Sequence, residues 1–253
     1  MSSNDNFSKF ENLTFDDFRG LAKDDSLSRH EKVGFPDSYR NGKEEDIFAD
    51  LIAKVRNISL TGKKILEIGP GCSDLPIKLS HICQENNNSL IFVDSQEMLG
   101  HLPKAPHIKE YYGAFPFALG DDLDGLTGRV DAIIAYSVIQ YVFTGGNLWD
   151  FIDCCMRLLA DDGEIFFGDI PNSTMRKRFF ASTAGCKFHR DFTGQNEKPE
   201  VDFNQLESGQ MDDSVVFSIL SRARAQGFHA WVLPQSSSLP MGNRREDILI
   251  RKP

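Results

Sequence analysis

The chain has 253 residues, a 40% hydrophobic fraction, twenty Phe and a formal net charge of −9. That length suits one large domain, or a domain with an elaborate cap, and it can bury a sizeable core. The acidic balance excludes a general nucleic-acid binder, which needs a broad cationic surface to displace phosphate counterions, and leaves room only for a local basic patch. No apolar run reaches the roughly 18 residues of a membrane span. The start, MSSNDNFSKFENLTFDD, is too polar and acidic for a signal peptide. Cys72, Cys83, Cys154, Cys155 and Cys186 form neither CxxC pairs nor a regular framework, so free thiols in a reducing cytoplasm are expected and a metal site is not.

Residues 1–60 read as an N-terminal cap: a polar tail, turn signals at Phe35-Pro36-Asp37 and Asn41-Gly42, then a helix from Glu44 with Ile47, Phe48, Leu51, Ile52 and Val55 on one face. From residue 61 strands and helices alternate. ILEI (65–68) is a buried strand and LPIKLSHIC (75–83) a helix. SLIFVD (89–94) is a second strand, followed by a short helix near QEMLGHL. HIKEYY (107–112) and VDAIIAYSV (130–138) are the third and fourth strands. NLWDFIDCCMRLLA (147–160) is a helix closed by a turn at 161–163, and EIFFGDI (164–170) is the fifth strand. The polar, irregular segment 171–212 interrupts the pattern and reads as an inserted substrate lid. A helix over 213–227 and two strands, FHAWVLP (228–234) and EDILIRK (246–252), complete the chain. The pattern predicts a doubly wound α/β fold, mostly parallel, with the last two strands as an antiparallel edge hairpin.

Ligands of such sheets sit outside the carboxyl ends of the strands. In "KKILEIGPGCSDLP", Gly69 and Gly71 end the first strand, where glycine lets the backbone turn close to a ligand. Asp94 ends the second strand and can accept hydrogen bonds from ribose hydroxyls. The bland alternatives are a tight turn for the glycines and a helix N-cap for Asp94. A dinucleotide fingerprint needs a small residue at position 74, and Asp74 stands there, in the first helical turn where a pyrophosphate would lie. Like charges at 4 Å repel by roughly 4 kcal/mol at an effective dielectric of 20. S-adenosylmethionine (SAM) carries a sulfonium and an ammonium instead, so Glu67 and Asp74 are tolerable or helpful beside it.

"LEIGPGCSDLP", Asp94 after "LIFV", "YYGAFP", "VDAIIAYSVIQYV" and "DGEIFFGDIPN" together resemble the class I SAM-dependent methyltransferases, over residues 60 to 170. The resemblance implies a Rossmann-like seven-stranded sheet, SAM as cofactor and S-adenosylhomocysteine (SAH) as product. It implies that Glu67, Ile68, Gly69, Pro70, Gly71 and Asp74 cradle the methionine part, and that Asp94 and Ser95 hold the ribose. Gly113, Ala114 and Phe115 would flank the adenine, and Tyr136, Ser137, Gln140 and Tyr141 would line the methyl donor. Two departures stand out: Ser73 replaces the family's third glycine, and Ala114 stands where an acid often follows the adenine-loop glycine. The (D/N)PPY motif of nucleic-acid amino-methyltransferases is absent, which speaks against a DNA base as acceptor.

The acceptor side rests on basic residues in an acidic protein. Lys43, Arg176, Arg178 and Arg244, with Tyr39, are candidates for binding a small anionic acceptor, against the plain reading of scattered surface charge. Arg40 is a candidate partner for the cofactor's carboxylate. His30, His189 and Asp169 are the candidate catalytic groups, should the acceptor need a base. "HEKVGFPDSYRNGKEEDIF" resembles methyltransferases of bacterial surface-polysaccharide gene clusters, which implies a sugar, nucleotide-linked or phosphorylated acceptor. Protein or peptide methylation, a SAM-binding partner without catalysis, and a nicotinamide oxidoreductase are the competing readings. A cap with an exposed apolar face also allows a homodimer.

Overall fold

The computed structural model describes residue 10, residues 13–194 and residues 196–253; the rest of the polar N-terminal tail lies outside the described residues. Seven strands are present among them: β1 (Lys64–Ile68), β2 (Ser89–Asp94), β3 (Ile108–Tyr112), β4 (Val130–Tyr136), β5 (Leu159–Pro171), β6 (His229–Pro234) and β7 (Arg245–Arg251). They form one sheet in the order β3-β2-β1-β4-β5-β7-β6. β1 to β5 are parallel, and β7 runs antiparallel to both β5 and β6. The order reverses between β1 and β4, which is where such a sheet opens a crevice for a ligand.

Apolar residues run along the central strands because both faces of the sheet are covered. Ile65, Phe92, Ile134 and Phe166 pack under α4 (Glu44–Lys54) and α5 (Asp74–Glu85), through Ile47, Leu51, Leu75 and Leu79. The alternate residues Leu66, Ile91, Ile133 and Phe167 face the other side, under α9 (Leu148–Leu158) and α12 (Asp213–Ala225). No helix among the described residues is long and apolar enough to cross a membrane.

Several expected boundaries move. The turn at 161–163 is an irregularity within β5: pairing with β4 passes from Val130↔Leu159 to Ala132↔Glu164, and Asp162 takes φ 63°. β4 stops at Tyr136, and the next residues turn into α8 (Ile139–Gly145), so Ser137 and Val138 are not strand. The segment 171–212 is not irregular throughout. It opens with α10 (Ser173–Phe180) and α11 (Thr183–Thr193), whose N-termini are capped by the side chains of Asn172 and Ser182. α7 (Asp122–Leu126) is a further short helix ahead of β4.

The N-terminal segment is more structured than its polarity suggests. It holds α1 (Phe15–Lys23), α2 (Arg29–Lys32) and α3 (Asp37–Arg40). Thr14 with Asp17, and Ser28 with Glu31, form capping boxes that satisfy the free N–H groups of the first two helices. Arg19 grips Glu97 of α6 (Gln96–Leu99) through Nε at 3.1 Å and Nη2 at 3.0 Å. The carbonyl of Ala22 accepts from Lys32 Nζ at 3.2 Å and meets His101 Nε2 at 2.8 Å. These contacts lay the cap across the carboxyl end of the sheet.

Leu51 ties the cap to the sheet and is fully buried. Leu51→Ala is expected to lower unfolding free energy by about 2–5 kcal/mol, measured by urea denaturation.

Candidate active site

The carboxyl ends of β1, β2 and β4 open beneath the cap into a cavity of about 1190 Å³. That exceeds the roughly 300–1,000 Å³ of an ordinary small-molecule site, so the cavity has room for a cofactor and part of a second molecule. Its floor starts at Glu67, Ile68, Gly69, Pro70 and Gly71. Gly69 and Gly71 both sit at φ 65°, in the left-handed region. A Cβ on Gly69 would lie 2.7 Å from Val138 Cγ2, and one on Gly71 would lie 2.5 Å from Val33 Cγ1. The turn is therefore both bent and tightly overlaid, from β4's end on one side and from the cap on the other.

Two acids define the electrostatics. Glu67 is buried, and its Oε2 has no hydrogen-bond partner among the described residues. Burial, and then the nearby Asp94, push its carboxyl up to about 8. Asp94 is also buried; it accepts from Gly71 N at 3.0 Å and Ser95 N at 2.6 Å. Burial outweighs those bonds and pushes Asp94 up to about 6. The cavity thus holds two desolvated carboxyl groups whose neutralisation calls for hydrogen-bond donors or a cation.

At the far end Gly113, Ala114 and Phe115 line the cavity, and the Phe115 ring stands edge-on to Phe151 at 5.2 Å. On the β4 side Tyr136, Ser137 and Tyr141 line it. Burial raises the titration of both tyrosine hydroxyls. Ser137 directly follows β4 and Asp169 lies near the end of the neighbouring β5, and both take φ 59°, an uncommon conformation outside glycine. They are hydrogen-bonded to each other. Asp169 Oδ2 also accepts from Arg40 Nη2 and Arg245 Nη1, each at 2.8 Å, and Arg40 Nη2 reaches Ser137 Oγ at 2.7 Å. Arg40 lines the cavity and stacks on Phe35, its Cζ 4.0 Å from the ring centre.

The remaining expected residues lie elsewhere. Asp74 is exposed, pairs with Arg29 at 2.7 Å and lines no part of the cavity, so it does not face the place of a pyrophosphate. Ser95 acts behind Asp94, and Gln140 turns back to the Ser137 carbonyl at 2.9 Å. His30 stands between Asp37 (3.0 Å) and Glu44 (3.1 Å) inside the cap. His189 lines a separate cavity of about 340 Å³ in the 171–212 insert, with Arg176. None of the six histidines lines the main cavity. Arg176 is paired with Glu207, Arg178 with Asp213, and Lys43 with Asp46 at 3.8 Å. Tyr39 and Arg244 also fall outside the cavity lining. The insert contributes no residue to that lining, whereas the N-terminal cap contributes Thr14, Phe18, Val33, Phe35 and Arg40.

Sequence reasoning missed Thr14, Phe18, Val33 and Phe35 as lining, and Arg245 as the partner of Asp169. The T-x-x-D and S-x-x-E capping patterns at 14–17 and 28–31 were the available signal for the first four. Among the described residues no His, Cys, Asp and Glu group is arranged for a metal.

No protein-family model matches the chain. Over 184 residues it is 28% identical to chondramide synthase cmdD of Chondromyces crocatus, a match spanning 68% of this chain and 4% of that protein's length. Among solved structures, the plantazolicin methyltransferase BpumL, in complex with a monoazolic desmethylPZN analog and SAH, aligns at TM-score 0.54 and 12% identity over 97% of this chain and 98% of its own. Phosphoethanolamine N-methyltransferase 1 of Haemonchus contortus, in complex with phosphoethanolamine and SAH, aligns at TM-score 0.52 and 15% identity over 99% of this chain and 50% of its own. With the sheet order above, these likenesses make the fold the Rossmann-like fold of the class I methyltransferases.

Glu67 titrates at about 8 in the fold against 4.5 as a free carboxyl, so its protonation favours the folded state fully below pH 4.5, and that contribution is lost as pH rises through 8. Urea denaturation of the ligand-free protein should show stability falling over that window. Glu67→Gln should flatten the fall, because the amide has no proton to lose.

Proposed function

We propose that the chain is a SAM-dependent methyltransferase acting on a small anionic acceptor. The observation that carries the reading is the pair of buried carboxyl groups, Glu67 and Asp94, in a cavity floored by a left-handed glycine turn. They fit SAM. Asp94 stands where it can take two ribose hydroxyls in place of its present backbone contacts. Glu67, with an oxygen that has no protein partner, faces the positive end of the molecule. Arg40, the expected partner of the methionine carboxylate, is spent instead on Asp169 and Ser137, and Phe115 offers a ring beside the adenine. A pyrophosphate at the glycine turn would meet one like charge, the Asp94 carboxylate that already holds the Gly71 N–H at 3.0 Å, which disfavours a nicotinamide dinucleotide.

When bound, SAM supplies an electrophilic methyl group on a sulfonium. The protein's part is to hold donor and acceptor in line and to exclude water. The cap does the second, and the ends of β4 and β5 do the first. No histidine reaches the cavity, and both tyrosine hydroxyls there are held protonated by burial. Asp169 is committed to two guanidinium groups and is better suited to holding them than to taking a proton. An acceptor whose oxygen is already anionic needs no base, and that supports an acidic acceptor: a phosphorylated, nucleotide-linked or acidic sugar, in keeping with the resemblance to surface-polysaccharide enzymes.

With methyl-labelled SAM and a panel of sugar phosphates and nucleotide sugars, label should pass to an anionic acceptor. Asp94→Ala should lower kcat/KM by about tenfold or more through lost ribose contacts. Transfer only to neutral acceptors, or an unaffected variant, would contradict the reading.

A further inference from the structure

Three arginines gather where the carboxyl end of β5 meets the amino end of β7, and the carboxylates in contact with them do not balance them. Arg40 and Arg245 flank the same Phe35 ring, at 4.0 and 5.5 Å, and both bond one oxygen of Asp169. Each spends only one terminal nitrogen on the protein. Arg40 uses Nη2, and its Nε and Nη1 have no partner among the described residues, although the side chain is buried and lines the cavity. Arg245 uses Nη1, and its Nε and Nη2 are likewise unpartnered. A guanidinium has five N–H donors, so both side chains keep donors free for a ligand.

Arg244 carries a third charge. It is half-buried, with Phe180 and Phe188 beneath it at 5.9 and 5.4 Å and Asn243 Oδ1 at 3.3 Å, and no carboxylate pairs with it among the described residues. The acids near it are engaged elsewhere. Asp247 takes Lys54 at 2.6 Å and the Asp169 N–H at 2.8 Å, and Glu246 takes Asn172 Nδ2 at 2.6 Å. Asp213 takes Arg178, and Glu207 takes Arg176. Arg40 and Arg245 therefore share one carboxylate, Asp169, and Arg244 has none; Glu44, the other acid beside Arg40, meets His30 at 3.1 Å, so two guanidinium charges lack a carboxylate in direct contact.

We infer that Arg40, Arg244 and Arg245 form the acceptor's anion subsite, and that the anion is a phosphoryl group. A phosphomonoester carries about −1.5 to −2 charge near neutral pH and several strong acceptor oxygens, which matches the surplus of two and the unused donor forks; a carboxylate offers half that charge. Asp169 is the positioning residue, spacing Arg40 and Arg245 on either side of Phe35. Its left-handed backbone, locked to Ser137, fixes that spacing beside the β4 end where methyl transfer is proposed. The inference rests on the methyl-transfer reading for what the subsite serves, and on the arginines alone for what it binds.

The test is calorimetric titration of the full chain with inorganic phosphate, with and without saturating SAH, and with acetate as the second anion. Phosphate should bind in the millimolar range or tighter, and acetate about tenfold more weakly or worse. Arg244→Gln and Arg245→Lys should each weaken phosphate about tenfold or more while SAH affinity stays unchanged, which also shows that the variants are folded. Arg178→Gln, whose guanidinium is already held by Asp213, should leave both affinities in place. No phosphate binding at millimolar concentration in a chain that binds SAH would overturn the subsite. So would acetate binding as tightly as phosphate, or wild-type phosphate affinity in both Arg244→Gln and Arg245→Lys. Phosphate binding with the expected variant pattern in a chain that does not bind SAH would instead leave the subsite standing and remove the methyltransferase reading.

Discussion

The site depends on two carboxyl groups that the sheet takes out of water without a cation to pair them. Glu67 near the end of β1 and Asp94 at the end of β2 sit on adjacent parallel strands, Asp94 two residues beyond Phe92, the register partner of Glu67. Desolvation raises both, and the nearby Asp94 makes the ionisation of Glu67 harder still. A fold keeps such a pair only if something offsets the penalty. Backbone N–H groups of Gly71 and Ser95 do part of this for Asp94, but Glu67 keeps an oxygen without any partner. A ligand that brings hydroxyls to one acid and positive charge to the other would complete both.

The rest of the architecture serves that pocket. The turn can be left-handed at Gly69 and Gly71 because neither has a Cβ, and the cap's Val33 and the β4-end Val138 fill the space where side chains would stand. The front of the cap is held down by polar contacts, Arg19 to Glu97 and Lys32 and His101 to the Ala22 carbonyl, and by an apolar cluster of Phe18, Ala22 and Val33 with Cys72 and Met98, while α4 anchors its end in the core. On the other side of the cavity the Ser137–Asp169 pair stores backbone strain that only the surrounding guanidinium groups and the Asp247 contact hold in place.

Most of the sheet was legible from sequence, because buried parallel strands are continuous apolar runs and the helices between them carry a clear apolar stripe. SLIFVD and FHAWVLP became β2 and β6 with boundaries shifted by no more than a residue. The cofactor side was legible for the same reason: Glu67, Gly69, Gly71 and Asp94 lie at strand ends, and strand ends are where this topology exposes side chains. The cap and insert were not, since their helices are short and polar and are specified by caps such as Thr14, Ser28, Asn172 and Ser182 rather than by periodicity. Arg40 and Asp169 were singled out, but their union across 129 positions of sequence is a tertiary fact. His30 and His189 illustrate the limit: residue type suggested a base, and the fold buried one among carboxylates and put the other in a different cavity.

The most direct test of the central claim is calorimetry of SAH and NAD binding to the wild-type chain at neutral pH. The account predicts micromolar binding of SAH and no measurable binding of NAD, because Asp94 accepts a phosphate-free nucleoside and its charge, bonded to the Gly71 N–H, lies where a pyrophosphate would have to sit. Tight NAD binding, or no SAH binding, would contradict it.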